Sequence, residues 1–343
     1  MTQSHQTALT VGRVFTVWQL NVPATVGVAL LAALYLWGAR RVAVAHPRRP
    51  WPRRRTASFL LGLAVVVVAI DGAIDVYGAT LFWIHMIGHL ALIMVAPALL
   101  VTGRPLTLLL HSSRNPVHTW TKRVLRAPAT AALTSPPAAL ATYTVTIVGT
   151  HLTGLMKTIM MRPWVGALEH VAYLAVGVQF FLLVFGDEPI RWRLSMPARL
   201  GLLAGSMAVD TFTGIALMQS THPVGMASHP GWGPSPLADT QAAGGIMWVG
   251  GDGLMVVLTL ALFATWAYQP DRPRLRGGWL EQVRLAAFDQ RTGFPAPPAA
   301  GSGRHVDLDT DEERREAYNA WLAHLAGQPP RRAAPAPRPG PTR

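Results

Sequence analysis

The chain has 343 residues, half of them hydrophobic and 14% charged, with 30 Lys and Arg against 17 Asp and Glu, a formal net charge of +13 and no cysteine. The missing thiols exclude a disulfide-stapled domain, Cys-ligated zinc or iron–sulfur centres and thiol nucleophiles, and the apolar content excludes disorder for the bulk of the chain. A positive balance of this size fits either nucleic acid or a membrane surface, and the placement of the basic residues decides between them.

Residues 1–19 are polar and lack a basic stretch followed by an apolar core, so a cleaved signal peptide is not expected. Seven later stretches reach the roughly 20 apolar residues that a membrane helix needs. They run from Leu20 to Gly38, Ser58 to Gly78, Thr80 to Thr102, Ala129 to Thr150, Trp164 to Gly186, Pro197 to Ser220 and Thr240 to Tyr268. The fourth carries Pro136-Pro137 and is predicted to kink there. The expected fold is an all-α bundle of seven transmembrane helices over residues 20–268, with 1–19 as an extracytoplasmic segment.

The loops that fall on one side of such a bundle, together with the tail after Tyr268, hold 27 of the 30 basic residues; the other side holds Arg13, Lys157 and Arg162. The positive-inside rule puts the N-terminus outside and the C-terminus in the cytoplasm. The positive charge therefore reads as topology and attraction to anionic lipid, and nucleic acid drops out as a partner. Residues 269–343 carry eleven of the 28 prolines and read as a partly disordered Pro/Arg-rich tail. Within it, 307–326 reads as a short helix with acidic residues at its start and Ala317, Trp321 and Leu325 on one face.

Ionisable groups inside a bilayer cost about 2.5–3.5 kcal/mol each on insertion scales, so those that are retained point to function. Asp71 and Asp75 are four apart in the second stretch, as are His85 and His89 in the third. Glu169 and His170 are adjacent in the fifth, Asp210 lies in the sixth and Asp252 in the seventh, and His151 follows the fourth. A rise of about 1.5 Å per residue from the outer surface puts His85 roughly 8 Å deep and His89 roughly 14 Å deep. The outer half of the bundle thus collects imidazole and carboxylate. Two imidazoles at i,i+4 can reach one ion, and soft donors without thiolate suit Cu(I). His85 and His89 are the lead ligands, with His170 and His151 next. Asp71, Asp75 and Glu169 are expected to orient the imidazoles or balance their protons, and Met86 and Met247 are available soft ligands. Asp210 and Asp252 also fit hydrogen bonds between neighbouring helices.

The run Phe82-Trp83-Ile84-His85-Met86-Ile87-Gly88-His89, leading to Ala96-Pro97 and Gly103-Arg104-Pro105, resembles the signature of the caa3-type CtaG family, polytopic cytochrome c oxidase assembly factors of bacteria. His151-Leu152-Thr153-Gly154, the stretch with His170 that ends Gly186-Asp187-Glu188-Pro189, and Asp239-Thr240-Gln241-Ala242-Ala243-Gly244-Gly245-Ile246-Met247-Trp248 are similar to the family's later motifs, in the same order. Leu90 stands where members often have Met, Pro97-Ala98 where they often have Pro-Pro, and Glu169 precedes a single His170 where they often carry more than one His; the last departure points to a mixed His/carboxylate site. The resemblance implies a non-enzymatic role in maturing a haem–copper oxidase in the bacterial plasma membrane, with copper handled at the outer face. It also implies oxidase subunits and other copper chaperones as partners. Two alternatives stand beside it: a haem-binding electron-transfer protein with axial ligands from two helices, and an oxidase assembly scaffold without metal. A retinal protein is excluded, because Lys122 and Lys157 are the only lysines and neither lies in the seventh stretch.

Overall fold

The computed structural model describes residues 7–224 and 231–268, and all the regular structure in them is helical. The chain divides into a unit Met1–Ala267 and a unit Tyr268–Arg343. The expected tail 269–343 and its helix at 307–326 lie outside the described residues.

The helices in chain order are α1 (Val11–Thr16), α2 (Val22–Ala45), α3 (Arg53–Asp71), α4 (Ala73–Gly78) and α5 (Phe82–Leu90), then a π-helical turn π1 (Ala91–Val95) that continues into α6 (Ala96–Thr102). Next come α7 (Pro105–Ser112), α8 (Val117–Arg126), α9 (Pro128–Leu133), α10 (Pro136–His151), α11 (Leu155–Met161), α12 (Pro163–Phe185) and α13 (Met196–Met218). α14 (Pro236–Gly245) leads through a second π turn, π2 (Ile246–Gly250), into α15 (Gly251–Ala267).

Six helical segments are long and apolar enough to cross a membrane: 22–45, 53–78, 82–112, 163–185, 196–218 and 236–267. The chain is a multi-pass membrane protein by this measure. The fourth expected span is the exception. Thr134 and Ser135 separate α9 from α10, and Ser135 is extended (φ −73°, ψ 150°). Pro136 and Pro137 therefore open a helix rather than kink one, since a proline at the first helical position loses no intrahelical bond. The 16 residues of α10 span only about 24 Å.

The segment α5–π1–α6 is the most buried of the six and forms the centre, against α3, α12 and α14. α2 lies at the periphery, with Leu30, Leu31, Leu34 and Trp37 exposed where lipid tails would cover them. Pro97 has no N–H to offer the Ile93 carbonyl, and the helix widens into π1 just there. Gly177 of α12 packs on that carbonyl so closely that a Cβ on it would lie 2.2 Å from the Ile93 oxygen. Gly244 and Gly214 bring α14 onto α13 in the same way.

The motifs that are far apart in sequence meet in space. Glu188, fully buried, accepts hydrogen bonds from the backbone N–H groups of Leu106 and Thr107 (2.9 Å each) and from the Thr107 hydroxyl (2.6 Å) at the start of α7. Beside it Asp187 pairs with Arg104, whose left-handed backbone (φ 54°) makes the corner between α6 and α7. At the opposite end of the central segment, Asp239 accepts from Phe82 N–H (2.8 Å) and Trp83 N–H (2.9 Å), which caps the helix that carries His85 and His89.

Candidate metal centre

α5 holds His85 and His89 one turn apart with ring centroids 4.3 Å apart. Both point at Glu169 of α12: His89 Nε2 lies 3.1 Å from Oε1 and His85 Nε2 lies 3.4 Å from Oε2. One ligand atom from each of the three residues falls within 4.8 Å of the other two. His89 and Glu169 are buried, and His85 keeps 13% of its side chain exposed, so the group is reached from that side.

The proton positions follow from the next contacts. His151 at the end of α10 sets Nδ1 2.8 Å from the Ile147 carbonyl oxygen, which can only accept. Nδ1 of His151 therefore carries the proton, and its Nε2 holds a lone pair. That Nε2 lies 3.2 Å from His89 Nδ1, so His89 donates Nδ1–H to it. In a neutral His89 the Nε2 is then a lone pair as well, and it faces the Glu169 carboxylate. His85 Nε2, His89 Nε2 and both Glu169 oxygens are buried and hydrogen-bonded to nothing among the described residues. Two acceptors 3.1 Å apart repel unless a proton or a metal ion lies between them, and a buried carboxylate in a membrane interior needs a compensating charge. Two neutral imidazoles and one carboxylate carry a net charge of −1, which a monovalent cation cancels. The donor set thus fits a metal ion.

Around this group, Tyr173, one turn after Glu169 on α12, stacks on the His89 ring (centroids 4.1 Å, 24°), and its hydroxyl lies 2.7 Å from Thr150 Oγ1. Met86 Sδ lies 3.1 Å from His151 Nε2. Met86 and Met247 are both buried, and both line a small chamber with His89 and His151.

Several sequence expectations are revised. Glu169, expected to support the imidazoles from behind, faces both of them directly. His151, at the end of α10, is 1% exposed. Asp71 and Asp75 do not share a helix face, because Gly72 (φ −89°, ψ −175°) breaks the helix between them. The Asp71 carboxylate accepts from Asn21 N–H (2.8 Å) and the Thr25 hydroxyl (2.6 Å) and so anchors the start of α2 rather than an imidazole. Asp75 lies 3.9 Å from His170 Nε2, and neither belongs to the three-residue group. Tyr173 and Thr150 are not among the sequence candidates. The i,i+4 spacing of Glu169 and Tyr173 is the signal that marks Tyr173.

Uncharacterized proteins of Mycobacterium bovis and Mycobacterium tuberculosis are each 29% identical to the chain over 92% of its length and 46% of theirs. An uncharacterized protein of Mycobacterium leprae is 27% identical over 92% of this chain and 45% of its own. The chain thus spans about half the length of these curated relatives. No solved structure matches it. Residues 33–269 match the family described as cytochrome c oxidase caa3 assembly factor, Caa3_CtaG, and the chain belongs to that family.

Proposed function

We propose that this protein is an assembly factor for a haem–copper cytochrome c oxidase that holds Cu(I) near the outer face of the bacterial plasma membrane and passes it to oxidase subunits or to other copper chaperones. α9 and α10 together make the fourth crossing, so the bundle has seven spans, with the N-terminus outside and the basic loops in the cytoplasm. His85, His89 and Glu169 hold the metal. His151 positions His89 by accepting its Nδ1 proton, and Tyr173 packs on its ring. His170 and Asp75 flank the entrance. The bound ion would supply a transferable copper and no catalysis.

The observation that carries this reading is the His89 lone pair aimed at the Glu169 carboxylate inside a membrane bundle, with neither atom hydrogen-bonded. Charge balance favours a monovalent ion there, and Met86 lies beside His151 as a further soft donor. A haem reading is disfavoured, because Glu169 contacts both imidazoles and leaves no slot for a macrocycle between α5 and α12. A scaffold without metal would need a proton held between His89 Nε2 and Glu169 in place of the ion.

The test is Cu(I) binding by the purified chain in detergent, alongside oxidase activity and copper content in cells. The Glu169→Gln and His85→Ala variants are expected to lose the metal and to lower assembled oxidase, with partial rescue by added copper. Full copper content in the oxidase when both variants are combined would support the scaffold instead, and a Soret band in the purified protein would support haem.

A further inference from the structure

Beside the His/Glu group lies a chamber that shares His89 and His151 with it and adds Met94, Met247 and Asp210. The chamber, with about 10 Å³ open to a water-sized sphere, is bordered by His89 and His151 and by Met86, Met94, Met247 and Asp210. That is room for one water or one dehydrated ion. The three methionines are at most 3% exposed. Met94 and Met247 come from π1 and π2, the two π turns found in the described residues, and such turns recur at functional sites. Gly251 packs beside it, where a methyl group would make ordinary contact with Leu90, Met94 and Asp210 at 3.5–3.7 Å. Asp210 is 1% exposed and accepts from the Tyr143 hydroxyl at both oxygens (3.1 and 2.8 Å), and no Lys, Arg or His pairs with it among the described residues. A buried carboxylate in a bilayer needs a cation or a proton, and the neighbours offered to a cation here are thioethers and imidazole.

The geometry points to a second, thioether-lined station for a soft monovalent cation between Met86, Met94 and Met247, with Asp210 as its counter-charge and His151 as the link to the outer centre. The link is short, because His151 Nε2 lies within 3.2 Å of both His89 Nδ1 and Met86 Sδ. An ion moves between the stations by ligand exchange, from imidazole nitrogen and carboxylate to thioether sulfur, as the hydrogen bond from His89 Nδ1–H to His151 Nε2 breaks and frees that lone pair, with no change of oxidation state. Two stations make the protein a passage rather than a single holding site. This inference rests on the outer centre binding Cu(I), as proposed above.

The experiment is anaerobic Cu(I) titration of the full chain in detergent against a colorimetric chelator, with X-ray absorption at the copper edge. The wild type is expected to bind two equivalents, one of them with sulfur neighbours. Met86→Leu, Met94→Leu and Met247→Leu combined, near volume-conserving changes, are expected to leave one equivalent with nitrogen and oxygen neighbours only. His85→Ala with Glu169→Gln is expected to keep the sulfur-bound equivalent alone. Asp210→Asn is expected to weaken that equivalent about tenfold. One equivalent in the wild type, free of sulfur, overturns the inner station and leaves the outer centre standing. Sulfur-bound copper that persists in the triple Leu variant also overturns it, and no bound copper at all overturns both readings.

Discussion

His89 Nδ1 lies 3.2 Å from His151 Nε2, and this one contact decides which face of the His89 ring is free to bind. Because the Ile147 carbonyl takes the His151 Nδ1 proton, the two rings form a chain in which every proton points away from Glu169. His151→Leu removes the acceptor and lets His89 adopt the other tautomer. Partners of this kind are worth about 10–100-fold in metal affinity. Competition titration is expected to show unchanged stoichiometry at the outer centre with affinity lower by that factor. An unchanged affinity would mean that His151 does not position His89.

Asp239 links α14 to the start of α5 by accepting from two backbone N–H groups that have no partner within the helix. Asp239→Ala should cost roughly 0.5–2 kcal/mol, the range for a lost cap. It frees the turn just before His85, so metal affinity should fall together with thermal stability. Asp239→Asn keeps one acceptor oxygen and should recover part of both losses.

Glu188 lies outside the membrane-spanning segments, and burial holds its carboxyl above the usual carboxylate range, although hydrogen bonds from Thr107 and Leu106 pull the other way. The folded protein therefore binds this proton more tightly than the unfolded chain does. The stabilisation from that protonated form is fully present below the unfolded value and is lost as pH rises through the folded one. Glu188→Gln does not titrate at this site. Thermal unfolding measured across the acid range should show the wild type gaining on the Gln variant as pH falls from neutral; the opposite trend would reverse the assigned direction. Glu188→Ala strands two backbone donors and a hydroxyl, and it should cost about 1–3 kcal/mol at any pH.

The spans were legible because a bilayer demands long apolar runs, and His85 with His89 was legible because i,i+4 on a helix means one face. What joined them to Glu169 and His151 was not. α10 and α12 are apolar nearly all the way round, so periodicity does not say which side turns inward, and the rotation of each helix is set by its neighbours. On α12 that neighbour is the Ile93 carbonyl under Gly177, a contact between residues 84 apart in sequence. Asp71 and Asp75 were misread for a local reason. Gly72 ends the helix between them, and a glycine inside an apolar run looks like any other small residue until the backbone is seen. The break before Pro136 was marked by the proline pair itself, but the same pair suits a kink within a helix or the first turn of a new one.

Gly177 gives the sharpest packing test. A Cβ there would lie 2.2 Å from the Ile93 carbonyl oxygen and 2.5 Å from Pro97 Cγ, and neither is a flexible side-chain tip. Gly177→Ala must therefore push α12 away from π1 and α6. Overpacking of this kind costs about 1–3 kcal/mol, against a gain of up to about 1 kcal/mol that the same change brings at an unhindered helical glycine. Gly201→Ala on α13, where nothing lies within 4 Å of the added methyl, is the control and should be neutral or slightly stabilising. The displacement also reaches the metal group, because Glu169 lies eight residues back on the same helix and a rigid shift of α12 draws its carboxylate away from His85 and His89. Gly177→Ala should thus lower both the unfolding temperature and the affinity of the outer centre for Cu(I), while Gly201→Ala changes neither appreciably. Loss of stability without loss of affinity would show that α12 yields locally around Gly177 and does not carry Glu169 with it as a rigid rod.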